Sequence, residues 1–196
     1  MTNATGRLAA ALLLASLSVT TTAWAEDAAV HPAEPAGYRM DDYRAPTPAT
    51  LKGAEVVDTG AAIALWRGKA AAFIDTMPRD EKPKNLPAGT IWRDRARDNI
   101  AGSVWLANVG YGETNAEMTA YFHDGLAAAS GGDKSRKLLF YCRADCWMSW
   151  NAAKRALEWG YIDVVWYPEG SDGWEKAGMP LQAATPWRPQ AAAHSQ

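Results

Sequence analysis

Cysteine, histidine and phenylalanine are all scarce in this chain of 196 residues, at two, three and three copies. Two cysteines exclude a framework of several disulfides. His31, His123 and His194 are scattered, with two of them in the tails, so no metal-ligand set is expected. No Cys-x-x-Cys-His run is present, which removes c-type haem attachment. An excess of one charge is also missing: 20 Lys and Arg stand against 22 Asp and Glu, a formal net charge of -2. Without a polybasic surface, nucleic acid is not an expected partner. Beyond residue 25, no apolar run approaches the roughly 20 residues that a membrane helix requires.

The beginning of the chain has one basic residue, Arg7, then the apolar run "LAAALLLASLSV" and then "TTTAWA". Ala23 and Ala25 fit a small-x-small cleavage site before Glu26. Residues 1–25 are therefore expected to be a secretory signal peptide, with a retained anchor as the alternative. Its bacterial cast places the mature chain in a periplasm, where thiols tend to be oxidised. The remainder suffices for one core. Ten tryptophans are many for this length, and most are expected to anchor the core or its loops.

Residues 26–50 are polar and interrupted by proline, which marks an arm rather than a central element. The pattern that follows alternates. A short strand is expected at Ala54 to Val57, a helix carrying Ile63, Leu65 and Trp66, and a strand at Ala71 to Asp75. The charged stretch 79–99 reads as a long excursion, followed by a strand near Ser103 to Leu106. Thr114 is expected to cap a helix bearing Glu117, Met118, Tyr121, Phe122 and Leu126. Next come the strand "KLLFY", a helix capped by Ser149 with Ala152, Ala153, Ala156 and Leu157 inward, the strand "YIDVVWYP" and the turn "EGSDGW". Repeated β then α units imply an α/β fold, a single domain with a mostly parallel sheet and helices on both faces. Functional sites in such sheets lie beyond the carboxyl ends of the strands.

Cys142 falls at that position. The loop from Cys142 to Ser149 is expected to curl over a helix N-terminus and to aim N–H groups at the sulfur, which favours thiolate. Cys146 follows four residues later, close enough for a disulfide in a tight loop. Three readings stay open at this point. The pair is a permanent staple, or Cys142 attacks sulfur and Cys146 resolves the mixed disulfide, or Cys142 carries a persulfide that Cys146 discharges.

The segments "LLFYC" and "SWNAAKRALEWGYIDVVWYPEGSDGWEKAGMPL", with "AAFIDT" and "NIAGSVWL" upstream, resemble the core of rhodanese-like domains. The resemblance implies a rhodanese-like domain over 51–183 with an insertion at about 79–99, and a tail at 184–196. More narrowly, "CW" at 146 and 147 and "SVWL" in an exported chain resemble the PQQ-dependent catabolism-associated CXXCW motif proteins, although the spacing here is Cys-x-x-x-Cys. That narrower resemblance implies a setting near quinoprotein alcohol oxidation. The expected partner is then a periplasmic protein of a quinoprotein alcohol dehydrogenase system, or a small sulfur or thiol substrate. No cofactor is specified, and PQQ is the quinone such a setting would supply.

The resemblance implies an active-site loop of Cys142, Arg143, Ala144, Asp145, Cys146, Trp147, Met148 and Ser149. Trp147 and Met148 take the places where rhodaneses and the related dual-specificity phosphatases carry an arginine. Anion recognition needs a bidentate cation or a ring of free donors. Arg143 is the only cation in the loop and Asp145 nearly cancels it, which weakens thiosulfate transfer and makes phosphatase chemistry improbable.

Asp75 ends a strand on the side of Cys142 and either tunes the loop or caps a turn. His123, beside Asp124, is a base for Cys142 or an ordinary exposed helix residue. The run "WRDRARD" (92–98) is read as a solvated face. Trp147 and Trp150 either stack on a planar cofactor or partner, or pack beneath the loop. A non-catalytic binding module, with a disulfide-closed Trp-rich loop that docks a partner, remains the alternative to an enzyme.

Overall fold

The computed structural model describes residues 31–93 and 95–189. The expected signal peptide and His194 lie outside the described residues. The elements run β1 (Glu55–Val56), α1 (Thr59–Arg67), β2 (Ala72–Asp75), β3 (Arg97–Ile100), β4 (Val104–Trp105), α2 (Ala116–Ser130) and β5 (Leu138–Tyr141). They continue as α3 (Trp147–Glu158), β6 (Val164–Tyr167), α4 (Gly170–Lys176) and β7 (Leu181–Ala184).

Five strands form one sheet in the order β1-β6-β5-β2-β4, and every pairing in it is parallel. β3 and β7 pair antiparallel as a separate ribbon. Successive side chains of a strand point to opposite faces, so β2, β5 and β6 feed two cores. Ile74, Leu138, Phe140, Val164 and Trp166 join Phe122 and Leu126 of α2 and Trp150 and Ala153 of α3. Phe73, Leu139, Tyr141, Val165 and Tyr167 join Ala62 of α1 and Trp174 of α4. Burial on both faces is the reason these strands are nearly continuous apolar runs. The α/β class with helices on both faces is thus the observed architecture.

Several local expectations are corrected. Asn115, not Thr114, caps α2: its extended backbone turns the side-chain amide oxygen onto the N–H of Met118 at 2.8 Å. The Thr114 hydroxyl instead meets that of Thr119 at 3.0 Å. Ser149 does not cap α3, which begins two residues earlier at Trp147, with Cys146 in the capping position. Its hydroxyl donates to the Cys146 carbonyl at 3.2 Å and accepts from the Trp166 indole at 3.1 Å. The expected turn "EGSDGW" is largely helical, forming α4. The excursion ends earlier than expected, because Arg97, Asp98 and Asn99 pair with β7.

Candidate active site

The chain leaves β2 towards β4 on one side and leaves β5 towards β6 on the other, so the connections diverge between β2 and β5. Such a point is where open parallel sheets form their crevice. Asp75 ends β2 there and Cys142 directly follows β5.

Cys142 and Cys146 are joined in a disulfide with their Cα atoms 6.2 Å apart. Both are buried, at 0% and 5% exposure. Met148, Tyr43 and Met77 pack against them, with the Met77 Sδ 3.4 Å from the Cys142 Sγ. The loop between the cysteines bends through Asp145, whose φ of 52° is a left-handed conformation that aspartate tolerates better than most residues. It is also pinned from outside. Arg143 pairs with Gly170, and the Ser171 N–H donates to the Cys142 carbonyl at 3.0 Å. Gly170 has φ +54°, and a Cβ there would stand 2.7 Å from the Arg143 Cα, so glycine alone fits.

Behind the loop lies a buried ion pair. The Arg97 guanidinium donates through Nε to Asp75 Oδ2 at 2.9 Å and through Nη2 to Asp75 Oδ1 at 3.2 Å. It also reaches the Cys142 carbonyl and the Ser171 hydroxyl, each at 3.3 Å. One cation therefore ties β2, the cysteine loop and α4 together. Burial pushes the Asp75 carboxyl up from its ordinary range, while Arg97 and the Met77 N–H pull it back. Asp75 also caps the turn after β2, since its Oδ1 accepts from the Met77 N–H at 3.0 Å.

Residues 38–44 of the arm run along α3, from Glu158 back to Cys146. The Trp147 N–H, an orphan donor of the first helical turn, is taken by the Tyr43 carbonyl at 3.0 Å. It is not aimed at a sulfur as the sequence suggested. Arg44 pairs with Cys146. Asn151 reads the Arg39 peptide at two points, accepting its N–H at 3.0 Å and donating to its carbonyl at 2.9 Å. The Tyr38 ring lies over the Arg155 guanidinium at 4.4 Å, and its hydroxyl donates to Glu158. Arg155 itself is buried and clamps the carbonyls of Val109, Tyr111 and Gly112.

The remaining expected loop residues divide. Arg143 faces Asp172 at 3.6 Å, with its Nε lacking a hydrogen bond. Ala144 is half-buried and Asp145 exposed. Trp147 and Trp150 are buried edge to face at 5.4 Å, beneath the loop, so neither offers a free ring face to a cofactor or partner. His123 is exposed on α2, with Asp124 and Trp159 as its neighbours rather than a cysteine.

Arg97 was missed by sequence reasoning. It belongs to the run read as a solvated face, and the polar strand "RDNI" gives no apolar alternation to reveal a β3–β7 ribbon. Among the described residues, no group of three or more His, Cys, Asp and Glu side chains could hold a metal, and no helix is long and apolar enough to cross a membrane. A groove of about 760 Å³ beside Tyr121 and Trp187 contains neither cysteine.

No protein-family model and no curated protein matches the chain. Fifteen solved chains are similar in structure. One is a protein of unknown function from Rhodopseudomonas palustris described as a possible tyrosine phosphatase: 22% identity, TM-score 0.43, covering 66% of this chain and 85% of that one. Another is the polysulfide-sulfur transferase homodimer of Wolinella succinogenes, at 16% identity and TM-score 0.41, covering 73% and 84%. A third is an EanB variant in complex with hercynine, at 22% identity and TM-score 0.46, covering 72% of this chain and 34% of that one. Nothing about activity follows from likeness at this level.

Proposed function

We propose that the chain is a periplasmic rhodanese-like thiol protein in which Cys142 is the nucleophile and Cys146 the resolving thiol, accessory to PQQ-dependent alcohol oxidation. The observation that carries this reading is the place of the disulfide. It joins the residue after a central strand to the start of α3, at the point where the sheet's connections diverge. As a staple it would do little: a ring this small restrains the unfolded chain by about 2 kcal/mol, against about 3 kcal/mol for a 15-residue loop.

In the reduced form Cys142 attacks a disulfide and forms a mixed disulfide, releasing one thiol. Cys146 then attacks the Cys142 sulfur and releases the second, so the substrate gains two electrons and the pair loses them. In the sulfur branch Cys142 attacks the outer sulfur of a persulfide or polysulfide, whose sulfur–sulfur bond breaks and whose remainder leaves as thiolate or shorter polysulfide, and carries that sulfur as its own persulfide. Attack by Cys146 on the Cys142 sulfur expels it as hydrogen sulfide. Both routes end on the disulfide observed here. Cys146 suits a resolving role because it sits at the N-terminus of a 12-residue helix, which favours the thiolate that makes the second attack. Thiosulfate as a donor is disfavoured, since Arg143 is turned to Asp172 and Arg97 is bound to Asp75.

Burial of both sulfurs favours a second reading, a non-catalytic module that docks a quinoprotein-system partner. The buried Trp147 and Trp150 speak against the Trp-rich loop as its contact surface. Incubation of the reduced protein with a small disulfide or a polysulfide, alongside Cys142→Ser and Cys146→Ser variants, separates the readings. An active nucleophile gives Cys142-dependent persulfide or turnover; its complete absence leaves the binding module.

A further inference from the structure

Resting on the thiol–disulfide reading, the arm indicates what the substrate is. Residues 39–44 are held by two side chains, Tyr43, whose hydroxyl accepts from the Gly112 N–H at 3.0 Å, and Arg39 over the Trp147 ring, and otherwise through their backbone. Asn151, 0% exposed, reads both the N–H and the carbonyl of Arg39. Trp147 N–H binds the Tyr43 carbonyl, and Arg44 pairs with Cys146. Met40, Asp41, Asp42 and Arg44 leave their side chains exposed. Main-chain pairing of this kind accepts any extended polypeptide, with side-chain pockets adding selectivity. The arm is also an imperfect occupant. The Trp147 indole N–H, beneath the Arg39 guanidinium, is buried without an acceptor, and such groups are otherwise nearly always satisfied.

We propose that the strip from Asn151 to Cys146 is a docking site for an extended, cysteine-bearing segment of a partner protein, and that the arm fills it while the partner is absent. Tyr43 packs against the cluster of Cys142, Cys146 and Met148 and marks the position of the partner's cysteine. A partner thiolate placed there attacks the Cys142 sulfur, the Cys142–Cys146 bond breaks, and Cys146 departs as thiolate at the start of α3. The partner's second thiolate attacks its own sulfur in the mixed disulfide and releases Cys142. The partner loses two electrons and two protons, and the pair gains both. The reverse sequence reduces a partner disulfide.

The test uses the full-length Cys146→Ser chain and a synthetic peptide of residues 36–47 carrying Tyr43→Cys, activated as a mixed disulfide with thionitrobenzoate. Docking makes the peptide react with Cys142 at least 10-fold faster than glutathione activated in the same way. An Arg39→Pro change in the peptide removes the N–H read by Asn151 and erases most of that advantage. Tyr38→Ala in the protein loosens its own arm and raises the peptide rate several-fold. The wild-type disulfide, reduced by the peptide thiol or by glutathione, repeats the comparison without relying on the variant's folding. Equal rates for peptide and glutathione overturn the docking site and leave the thiol–disulfide reading standing. If neither reagent reacts with Cys142, both fall.

Discussion

Replacing Arg97 with alanine tests the wiring behind the cysteine loop. The Asp75 carboxylate is 0% exposed and Arg97 14%, so the substitution leaves a buried charge facing a void. Breaking a buried pair from one side costs about 3–5 kcal/mol, and for a domain of this size that lowers Tm by about 6–20 °C. The sign with pH is also fixed. Burial already raises the Asp75 carboxyl above 3.8, and losing Arg97 raises it further. Between the unfolded value and the raised folded value, the folded state holds a proton that the unfolded state has released, so stability falls as pH rises. The penalty of Arg97→Ala is therefore smaller at pH 4.5 than at pH 7. Urea denaturation of wild type and variant at both values, with the disulfide intact, reads it directly. The double change Asp75→Asn with Arg97→Met should recover much of the loss, because both partners leave together. A cost below about 1 kcal/mol, or one that is equal at the two pH values, refutes the reasoning.

Three further outcomes follow from the same contacts. Gly170→Ala, with its Cβ 2.7 Å from the Arg143 backbone at φ +54°, should cost about 2–5 kcal/mol from overpacking and left-handed strain together; a cost under 1 kcal/mol in denaturant melts would show that the loop is not pinned there. Burial and the hydrogen bond to Glu158 push the Tyr38 phenol up to about 12, so the folded state keeps a proton that the unfolded state loses near 10, and stability falls as pH rises through that window. Tyr38→Phe should flatten part of the decline in Tm measured from pH 8 to 11. Tyr167, also raised to about 12 by burial, and Tyr111, Tyr121 and Tyr141, raised by burial too, keep the remainder. Reducing the disulfide, which keeps both buried sulfurs in place, should cost only about 2 kcal/mol in stability by urea denaturation; a loss above about 4 kcal/mol would favour the staple.

The strands β2, β5 and β6 were legible because each is apolar on both faces, a signature that composition and spacing carry locally. The position of Cys142 was legible for the same reason, since it follows the most apolar strand. The start of α3 was displaced by a partner that a linear reading does not show, whereas α2 is capped locally by Asn115 beside the expected Thr114. α3 begins at Trp147 where the Tyr43 carbonyl, more than a hundred residues earlier, takes the first orphan N–H. α4 was hidden because its glycines are poor helix formers, yet Gly170 is required there by the Arg143 backbone. Arg97 and the arm contacts depend on tertiary pairing alone, and polar residues with mixed signs give no periodic trace of it.

The reduction potential of the Cys142–Cys146 disulfide tests the central claim most directly. A pair that cycles should equilibrate with a glutathione or dithiothreitol buffer at a midpoint above about -300 mV, and a midpoint well below that value would identify a permanent structural bond and contradict the account.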